Sequence, residues 1–298
     1  MSQLIFNLLL SANHKSLYYK FLLKSRNWWL LLFPNDTIFY KYGNYTLEFP
    51  FSHDYPLNKK AIPQYSENLG VVAKVIKEKY DFCKAIDVGA NIGDSAAIIN
   101  NYCNMPILCI EGNPKFYTLL ENNTKQMPSI SIEKCFVGDT NETVSTINYG
   151  GTARLEKSTT GAEVKTFEQI LDKHVDFKDT KLLKIDTDGF DNKIIRAAEH
   201  LLSYSNPIVF FEYDPFFLIK QNEIPQDIFT FLLKMNYTSL LLFDNLGRLL
   251  CQVKTENISL LKDLSIYYNQ NGQSYLDICA FHSSDEDLLI NIKRTFQS

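Results

Sequence analysis

Four short apolar runs in the middle of the chain each end on an acidic residue, and a helical pattern follows each of them. The acidic residues are, in chain order, Asp87, Glu111, Asp186 and Glu212. An apolar run of this length before an amphipathic stretch is typical of a buried parallel strand followed by a helix. The pattern therefore predicts an open α/β sheet from residue 84 onward, with the four carboxylates at one edge.

The remaining patterns place further elements around this sheet. Residues 37–42 and 45–51 alternate β-branched and aromatic side chains about Gly43-Asn44, which predicts a hairpin with a two-residue turn. Further strands are predicted over residues 130–137, 239–243 and 276–281, with an inserted hairpin within 140–164. Helices are predicted over residues 65–80, 95–101, from 113 onward, 167–171, 192–202, 227–235 and 286–296.

The loop after the first apolar run carries the most informative motif of the chain. Gly89 and Gly93 frame a Gly-x-x-x-Gly loop whose N–H groups can approach a ligand closely, and Asp94 can cap the next helix. The loop lacks the third glycine of a dinucleotide fingerprint and the Lys-Ser or Lys-Thr of a phosphate-binding loop. Asp87 would repel a phosphate but tolerate a cation, so the sulfonium and amino groups of S-adenosylmethionine fit this loop.

A second motif lies one strand further along the chain. Glu111 follows Gly89 by 22 residues, close to the spacing of about 20 at which a carboxylate accepts the two ribose hydroxyls of a nucleotide-like ligand. The alternative is that Glu111 only caps the turn that Asn113 and Pro114 begin. We favour the ribose role because both motifs occur at the expected separation.

Taken together, the motifs of residues 85–215 resemble the FkbM family of S-adenosylmethionine-dependent methyltransferases. The matching segments are IDVGANIG, IEGNP, KIDTDG and FFE. The first is shared by many methyltransferases, whereas the third, with Lys184, Asp186 and Gly189, is the family's own signature. The chain has Asp188 where the family usually has Glu, which keeps the carboxylate but shortens its reach.

The resemblance implies a fold and an activity. The fold is a class I methyltransferase-like Rossmann sheet, mostly parallel with an antiparallel edge, preceded by an N-terminal extension of helices and a hairpin. The activity is O-methylation of a sugar, glycan or polyketide hydroxyl. We expect an enzyme that methylates a sugar or glycan intermediate in polysaccharide assembly. The alternatives are a non-sugar small-molecule acceptor and a non-catalytic scaffold of a glycan-assembly complex that binds the cofactor.

The resemblance and the motifs also imply the site residues. Asp186 and His53 are the catalytic candidates, since a carboxylate at a strand end can orient the acceptor and a histidine in an irregular loop can cover the pocket. Asp188 and Asp191 are interpreted as a turn residue and a helix cap. The cofactor-binding candidates are Tyr65, Asn68, Asp87, Gly89, Ala90, Asn91, Gly93, Asp94, Ser95, Glu111, Gly112, Asn113, Phe116, Gly138, Asp139 and Asp186.

A metal ion at the acidic edge is a further hypothesis. Asp186, Glu212 and Asp214 follow neighbouring strands, and Mg²⁺ accepts a few carboxylates together with water. Repulsion among the carboxylates is equally relieved by Lys184 or by a basic residue of the N-terminal segment. The sequence therefore leaves Mg²⁺ open without favouring it.

Composition limits the partners and the cellular compartment that we expect for the protein. The 298 residues are 45% hydrophobic and 21% charged, with a net charge of −4, which argues against a nucleic-acid partner because such proteins present a basic face. The six cysteines form no Cys-x-x-Cys pair, so we expect reduced thiols and a cytoplasmic protein.

The first 35 residues differ in character from the rest. They contain no acid but carry Lys15, Lys20, Lys24 and Arg26 among leucine and aromatic residues. Their apolar faces either pack on the main domain or a second subunit, or lie on the anionic inner face of a membrane. We favour packing on protein, and we divide the chain into a docking and acceptor-covering part (residues 1–62) and a methyltransferase domain (residues 63–298).

Overall fold

The computed structural model describes residues 1–138, 143–149, 152–157, 162–271 and 274–297. The strands are β1 (Thr37–Tyr42), β2 (Tyr45–Pro50), β3 (Ala85–Val88), β4 (Ile107–Ile110), β5 (Ile130–Glu133), β6 (Phe136–Val137), β7 (Thr143–Tyr149), β8 (Thr152–Lys157), β9 (Ala162–Lys165), β10 (Leu182–Ile185), β11 (Ile208–Tyr213), β12 (Tyr237–Asp244), β13 (Leu249–Lys254) and β14 (Leu276–His282).

The helices surround these strands. They are α1 (Ser2–Ser11), α2 (Leu17–Leu32), α3 (Tyr55–Ala61), α4 (Glu67–Lys79), α5 (Asp94–Tyr102), α6 (Pro114–Thr124), α7 (Phe167–Lys173), α8 (Asp191–Ala197), α9 (Glu199–Ser205), α10 (Pro215–Lys220), α11 (Asp227–Lys234), α12 (Ile258–Asn271) and α13 (Glu286–Gln297), with 3-10 turns at Val175–Phe177 and Ser283–Asp285. Within the described ranges, no helix is long and apolar enough to cross a membrane.

An eight-stranded sheet forms the centre of the molecule, in the order β13-β12-β14-β11-β10-β3-β4-β5. The strands from β11 to β5 are parallel, and β14 lies antiparallel between β11 and β12. This is the mostly parallel Rossmann-like sheet with an antiparallel edge that the sequence predicts, and the prediction is confirmed. Because parallel strands point the same way, the ends of β4, β3, β10 and β11 meet along one edge.

Alternation along the strands divides the core into two layers. Neighbouring residues of a strand point to opposite faces of the sheet, so each strand contributes to both layers. The layer beneath α4 and α5 contains Ala85, Ile107, Leu182, Ile208 and Phe210. The opposite layer, beneath α8 and α9, contains Ile86, Leu108, Leu183, Val209 and Phe211.

The N-terminal elements pack into the first of these layers. The β1–β2 hairpin has the predicted register about its turn, with Tyr42 opposite Tyr45. Phe6 and Leu9 of α1 and Leu22 of α2 are buried in the same cluster as the helices that cover the sheet. The division of the chain at residue 62 stays a prediction.

Two predicted elements differ from the structure, and others were not predicted. The single strand predicted over residues 130–137 is two strands, because β6 leaves the large sheet and pairs with β9 of a four-stranded sheet. The single helix predicted over residues 192–202 breaks at Ala198, whose N–H contacts both Ile194 O and Ile195 O. The sequence patterns also failed to predict α3, α10, β13 and α12.

The turn after β3 depends on the absence of a side chain at Gly89. A Cβ there would lie 1.9 Å from Asp186 O, and its φ of +76° is one that other residues rarely adopt. We expect Gly89→Ala to lower the free energy of unfolding by about 3 kcal/mol or more, measured in urea. Gly247→Ala is the matched control, since it has φ +80° but its nearest neighbour, Gln64 O, is 3.1 Å from the new Cβ, and should cost about 1 kcal/mol. Equal costs for the two variants would contradict the close approach.

Candidate functional site

The loop between β3 and α5 forms the floor of the candidate site. Gly89, Asn91 and Gly93 all have positive φ angles, and the N–H groups of Gly89 and Ala90 donate to Ile110 O at 3.0 and 3.1 Å. The loop is thereby joined to the end of β4. The predicted cap is wrong in detail, because Gly93 is the N-cap of α5 and the Asp94 side chain makes no capping hydrogen bond.

The Glu111 carboxylate holds this loop from the side. It accepts hydrogen bonds from Asn91 N at 2.9 Å and from Asn113 N at 2.7 Å. Burial raises its pKa to about 7, although both hydrogen bonds oppose the shift. Each oxygen retains a lone pair beyond these contacts, so the carboxylate can cap the turn and still accept ribose hydroxyls.

A cavity, here called the loop cavity, opens between the loop and β4. Apolar side chains form most of its walls, and Glu111 and Asn113 supply polar groups on one side. Gly112 is constrained here, because a Cβ would lie 2.4 Å from the ring of Phe136. Flat apolar walls beside a hydrogen-bonding carboxylate suit an adenosine group. The apolar residues are Val88, Ile110, Phe116, Phe136, Val137, Phe190 and Ile194.

Not every predicted cofactor residue lines this cavity. Gly138 follows β6 and lines a separate cavity beside Arg196. Asp139 lies outside the described residues. The sequence interpretation assigned both residues to the cofactor because it treated residues 130–137 as one strand of the large sheet, whereas the chain leaves that sheet after Glu133.

A second cavity, here called the acidic cavity, lies on the other side of the loop. It shares Gly89, Asn91, Asp186 and Asp188 with the loop cavity, so the two meet at the ends of β3 and β10. The remaining predicted site residues on its walls are His53, Tyr65, Asn68, Asp94 and Ser95. The structure thus brings together segments separated by more than 200 positions, because Asp277 of β14 lines the same cavity.

Three carboxylates stand side by side across neighbouring strands in the acidic cavity. Ile185 pairs with Phe211, which places Asp186 beside Glu212, and Glu212 is the direct partner of Asp277. Side chains at the same register share one face of a sheet at roughly 5 Å spacing. Burial and the neighbouring charges raise the pKa of Glu212 well above its usual value.

Asp277 of this group, and Asp188 in the turn after β10, have pKa values that approach neutrality. Burial raises the pKa of Asp277 to about 7, although a 2.9 Å hydrogen bond from Asn68 Nδ2 opposes the shift. Burial and the charges of Asp186 and Asp214 likewise raise the pKa of Asp188 to about 7. Both groups therefore change charge in the physiological pH range.

The interpretation of Asp188 as an ordinary turn residue understates its position. Asp188 has a φ of +52° and lines both cavities. The turn itself is held by Asp191, whose carboxylate accepts from Thr187 N and Gly189 N at 3.1 Å each. Asp191 thus closes the turn before α8, and Asp188 is left facing the site.

Lys184 is the cation beneath this acidic edge. Its Nζ lies 3.0 Å from Asp87 Oδ1 and 3.5 Å from Asp186 Oδ2, and donates to Gly89 O at 3.3 Å. Burial lowers the pKa of Lys184, but the charges of Asp87 and Asp186 outweigh burial and hold it above its usual value. The ammonium group is therefore charged and links β3 to β10.

The ion pair corrects the role predicted for Asp87. Its side chain is 0% exposed and lines neither cavity. Asp87 therefore contacts Lys184 rather than a ligand, and it shapes the site from below. Its charge is matched inside the protein, so the sequence argument that it selects a cationic ligand does not hold for this residue.

His53 lies in the loop between β2 and α3, on the wall of the acidic cavity. Its Nδ1 accepts a hydrogen bond from Tyr55 N at 3.2 Å, at the start of α3. Burial lowers its pKa, against the opposing charges of Asp94 and Asp54. The neutral ring therefore carries its proton on Nε2, which makes His53 a hydrogen-bond donor.

The sequence did not identify Asp277 as a site residue, nor its hydrogen bond with the predicted residue Asn68. Asp277 begins an apolar run, whereas the acidic residues singled out from the sequence end one. Since β14 is antiparallel, its first residues lie at the edge where the parallel strands finish. An antiparallel strand with an acid near its start is the signal that could have identified it.

No metal centre emerges from the described part of the chain. Within it, no three or more His, Cys, Asp or Glu side chains are arranged to hold an ion. Asp214, the third proposed ligand, accepts instead from Phe216 N and Phe217 N at the start of α10.

The fold and the site together define a class I methyltransferase, and the comparisons agree. The family model of the methyltransferase FkbM domain matches residues 87–239. The chain therefore belongs to the FkbM family of S-adenosylmethionine-dependent methyltransferases. A search of curated proteins finds none that matches the chain.

Solved structures with a similar fold are distant in sequence. Methyltransferase FkbM from Methylobacillus flagellatus KT is 19% identical with a TM-score of 0.33, covering 45% of this chain and 33% of its own. Precorrin-6y C5,15-methyltransferase from Geobacter metallireducens GS-15 is 13% identical with a TM-score of 0.38, covering 71% and 87%. N-methyltransferase NodS from Bradyrhizobium japonicum WM9, in complex with S-adenosylhomocysteine, is 11% identical with a TM-score of 0.40, covering 77% and 93%. The chain thus spans about a third of the FkbM structure that it matches.

The ion pair between Lys184 and Asp87 generates a prediction about stability. Lys184→Met leaves the buried Asp87 uncompensated and should lower the free energy of unfolding by about 3–5 kcal/mol. The double variant Asp87→Leu/Lys184→Met removes both charges and should recover most of that loss. Urea unfolding of both single variants and of the double variant measures the coupling. Additive losses would show that the two charges do not depend on each other.

The Glu111 contacts generate a prediction about donor binding. Glu111→Ala removes the acceptor for Asn91 N, Asn113 N and the ribose hydroxyls, and should weaken S-adenosylhomocysteine binding by about 1–3 kcal/mol in calorimetry. Glu121→Ala is the matched control, because Glu121 is exposed on α6. Urea unfolding of both variants separates a loss of affinity from a loss of folding. Unchanged affinity in Glu111→Ala would rule out the ribose role.

Proposed function

We propose that the protein is an O-methyltransferase that transfers the methyl group of S-adenosylmethionine to a hydroxyl of a sugar or glycan intermediate. The observation that carries the proposal is the acidic cavity, where Asp186, Asp188, Glu212 and Asp277 line one pocket beside the loop. Carboxylates accept hydrogen bonds from hydroxyl groups, and several in one pocket suit an acceptor with several hydroxyls.

The loop cavity is the proposed donor site. Glu111 would accept the ribose hydroxyls, and Phe116 and Phe136 would pack against the adenine. When bound there, the donor supplies an electrophilic methyl group on a sulfonium. Asp186 lies where the two cavities join and is ion-paired with Lys184, so we assign it to orienting the donor's amino group and the acceptor hydroxyl.

Asp188 is the proposed general base. Transfer to a hydroxyl requires that the hydroxyl proton leaves as the new C–O bond forms. A base works best when its pKa lies near the working pH, and the pKa of Asp188 is raised to about 7. Asp188 also lines both cavities, which puts it between the proposed donor and acceptor.

His53 is assigned a different task. With Nδ1 occupied by Tyr55 N, the neutral ring has no free lone pair on either nitrogen and cannot take up the hydroxyl proton. Its Nε2–H can donate to an oxygen of the acceptor and hold it in place. His53 is therefore a substrate-orienting residue in this proposal, and the base is a carboxylate.

The wall of the acidic cavity also bears on the class of acceptor. Apolar side chains are a minority there, namely Leu69, Ile98 and Phe210 among the residues that line it. A largely apolar polyketide would leave most of the carboxylates without partners and bury little of its apolar surface. A polyhydroxylated acceptor satisfies them, which favours the sugar class over the alternative.

Incubation of sugar nucleotides and glycans with isotopically labelled donor, followed by mass spectrometry, tests the proposal, and labelling of amines alone would reject it.

The division of labour between Asp188 and His53 predicts different pH profiles. Below pH 7 the Asp188 carboxyl is protonated and cannot accept a proton, so kcat should fall toward acid with an apparent pKa of about 7. Asp188→Asn should lower kcat by a factor on the order of 10² or more and abolish that acidic limb. His53→Ala should lower kcat roughly tenfold and keep the limb.

Two further measurements separate these roles from a general loss of structure. His53→Gln keeps an N–H donor near the same place and should retain more activity than His53→Ala. Binding of S-adenosylhomocysteine should be unchanged in both His53 variants, because His53 does not line the loop cavity. If the acidic limb disappears in His53→Ala instead, His53 is the base and the tautomer argument is wrong.

A further inference from the structure

Helix α2 has two faces of different character. Leu22, Arg26 and Trp29 point toward the protein, and Leu22 and Arg26 are buried. The opposite face, here called the outer face, consists of Leu17, Phe21, Trp28, Leu31 and Leu32, which are 63–83% exposed. At about 100° per residue these five side chains fall within an arc of roughly 100°. Five large apolar side chains on one solvent-facing arc exceed what scattered surface residues explain.

The groove between α1 and α2 continues this surface. Met1 is 68% exposed, and the side chains of Ile5, Phe21, Trp28 and Leu32 line the groove together with Lys24. The apolar surface therefore extends beyond a single helix.

Positive charge accompanies the outer face. Lys20 lies at the margin of its arc on α2, Lys24 lies within the arc, and Lys15 lies just before the helix, all exposed. Residues 1–35 contain no Asp or Glu, although the whole chain has a net charge of −4. The local excess of positive charge is thus opposite in sign to the charge of the protein as a whole.

We propose that the outer face of α2 docks on an anionic lipid surface. An interfacial helix combines an apolar face that enters the acyl boundary with lysines that meet anionic headgroups, and tryptophan is favoured at that depth. A second copy of the chain fits less well. A two-fold contact centred on this face would bring Lys24 close to its equivalent, with no Asp or Glu in residues 1–35 to pair with it.

The inner face of α2 links the docking surface to the acidic cavity. Arg26 Nε donates to Phe51 O at 2.9 Å, and Arg26 Nη1 pairs with Asp54 Oδ1 at 2.7 Å. His53 lies between Phe51 and Asp54 in the chain and lines the acidic cavity. The docking helix and that wall are therefore one packed unit, although the docking proposal does not depend on the chemistry of the cavity.

Vesicle co-sedimentation of the full chain tests the proposal. Binding is expected to vesicles of phosphatidylcholine mixed with phosphatidylglycerol, to weaken with added salt, and to be much weaker for phosphatidylcholine alone. Trp28→Ser/Leu31→Ser should reduce binding at least tenfold. The matched control is Phe82→Ser/Tyr204→Ser, which removes two side chains that are 92% and 70% exposed elsewhere and should bind normally.

Charge reversal provides a second arm. Lys20→Glu/Lys24→Glu should weaken binding to the anionic vesicles by more than tenfold, since each lysine near such a surface contributes roughly fivefold. Lys234→Glu/Lys262→Glu makes the same change in charge at two exposed sites on other helices and should have a much smaller effect. Unaltered thermal unfolding and S-adenosylhomocysteine binding in all variants confirm that the fold is retained.

Tryptophan fluorescence reports the contact directly. The chain has two tryptophans, and Trp29 already donates to Asp36 Oδ2 at 2.7 Å. Anionic vesicles should shift the emission to shorter wavelength, and Trp28→Phe should abolish the shift. The proposal fails if the chain binds neither kind of vesicle. It also fails if analytical ultracentrifugation shows a dimer that the Trp28→Ser/Leu31→Ser variant no longer forms, since a second copy then covers the outer face.

Discussion

The site depends on one buried ammonium group. Lys184 is placed under the acidic edge of the sheet, within reach of Asp87, Asp186 and the carbonyl of Gly89. It links the central strands β3 and β10 near their carboxyl ends. An unpaired carboxylate inside this layer would be prohibitively costly, so the ion pair is what permits an acid at position 87 at all.

The geometry above that ion pair follows from the same junction. Gly89 can approach the carbonyl of Asp186 only because it has no side chain. Both residues line both cavities, so the cavities meet at this contact. The charge of Lys184 lowers the pKa values of Asp188 and Asp277, but burial outweighs it and raises both to about 7. The arrangement provides an apolar pocket, an acidic pocket and proton acceptors at the boundary between them.

The N-terminal segment adds a second constraint. Arg26 holds the loop that carries His53 from one side of α2, while the other side of the helix presents aromatic and aliphatic side chains to solvent. The inner side of α2 packs on the protein, whereas docking of its outer face on lipid is the proposal made above. A pattern of apolar residues cannot distinguish a helix with two apolar faces from one with a single broad face, because the inner and outer residues alternate along the chain.

The sequence by itself determined the alternation of strand and helix in the central sheet, the loop of residues 89–93, Glu111 and the acidic ends of the central strands. These are local signals, since periodicity and glycine spacing are properties of adjacent residues. Only the tertiary structure decided that Asp87 pairs with Lys184 and that Asp277 completes the acidic row. It also placed the Nδ1 of His53 against a backbone N–H. Those facts depend on strand order, register and ring orientation, which arise from contacts between residues far apart in the chain and leave no periodic trace in it.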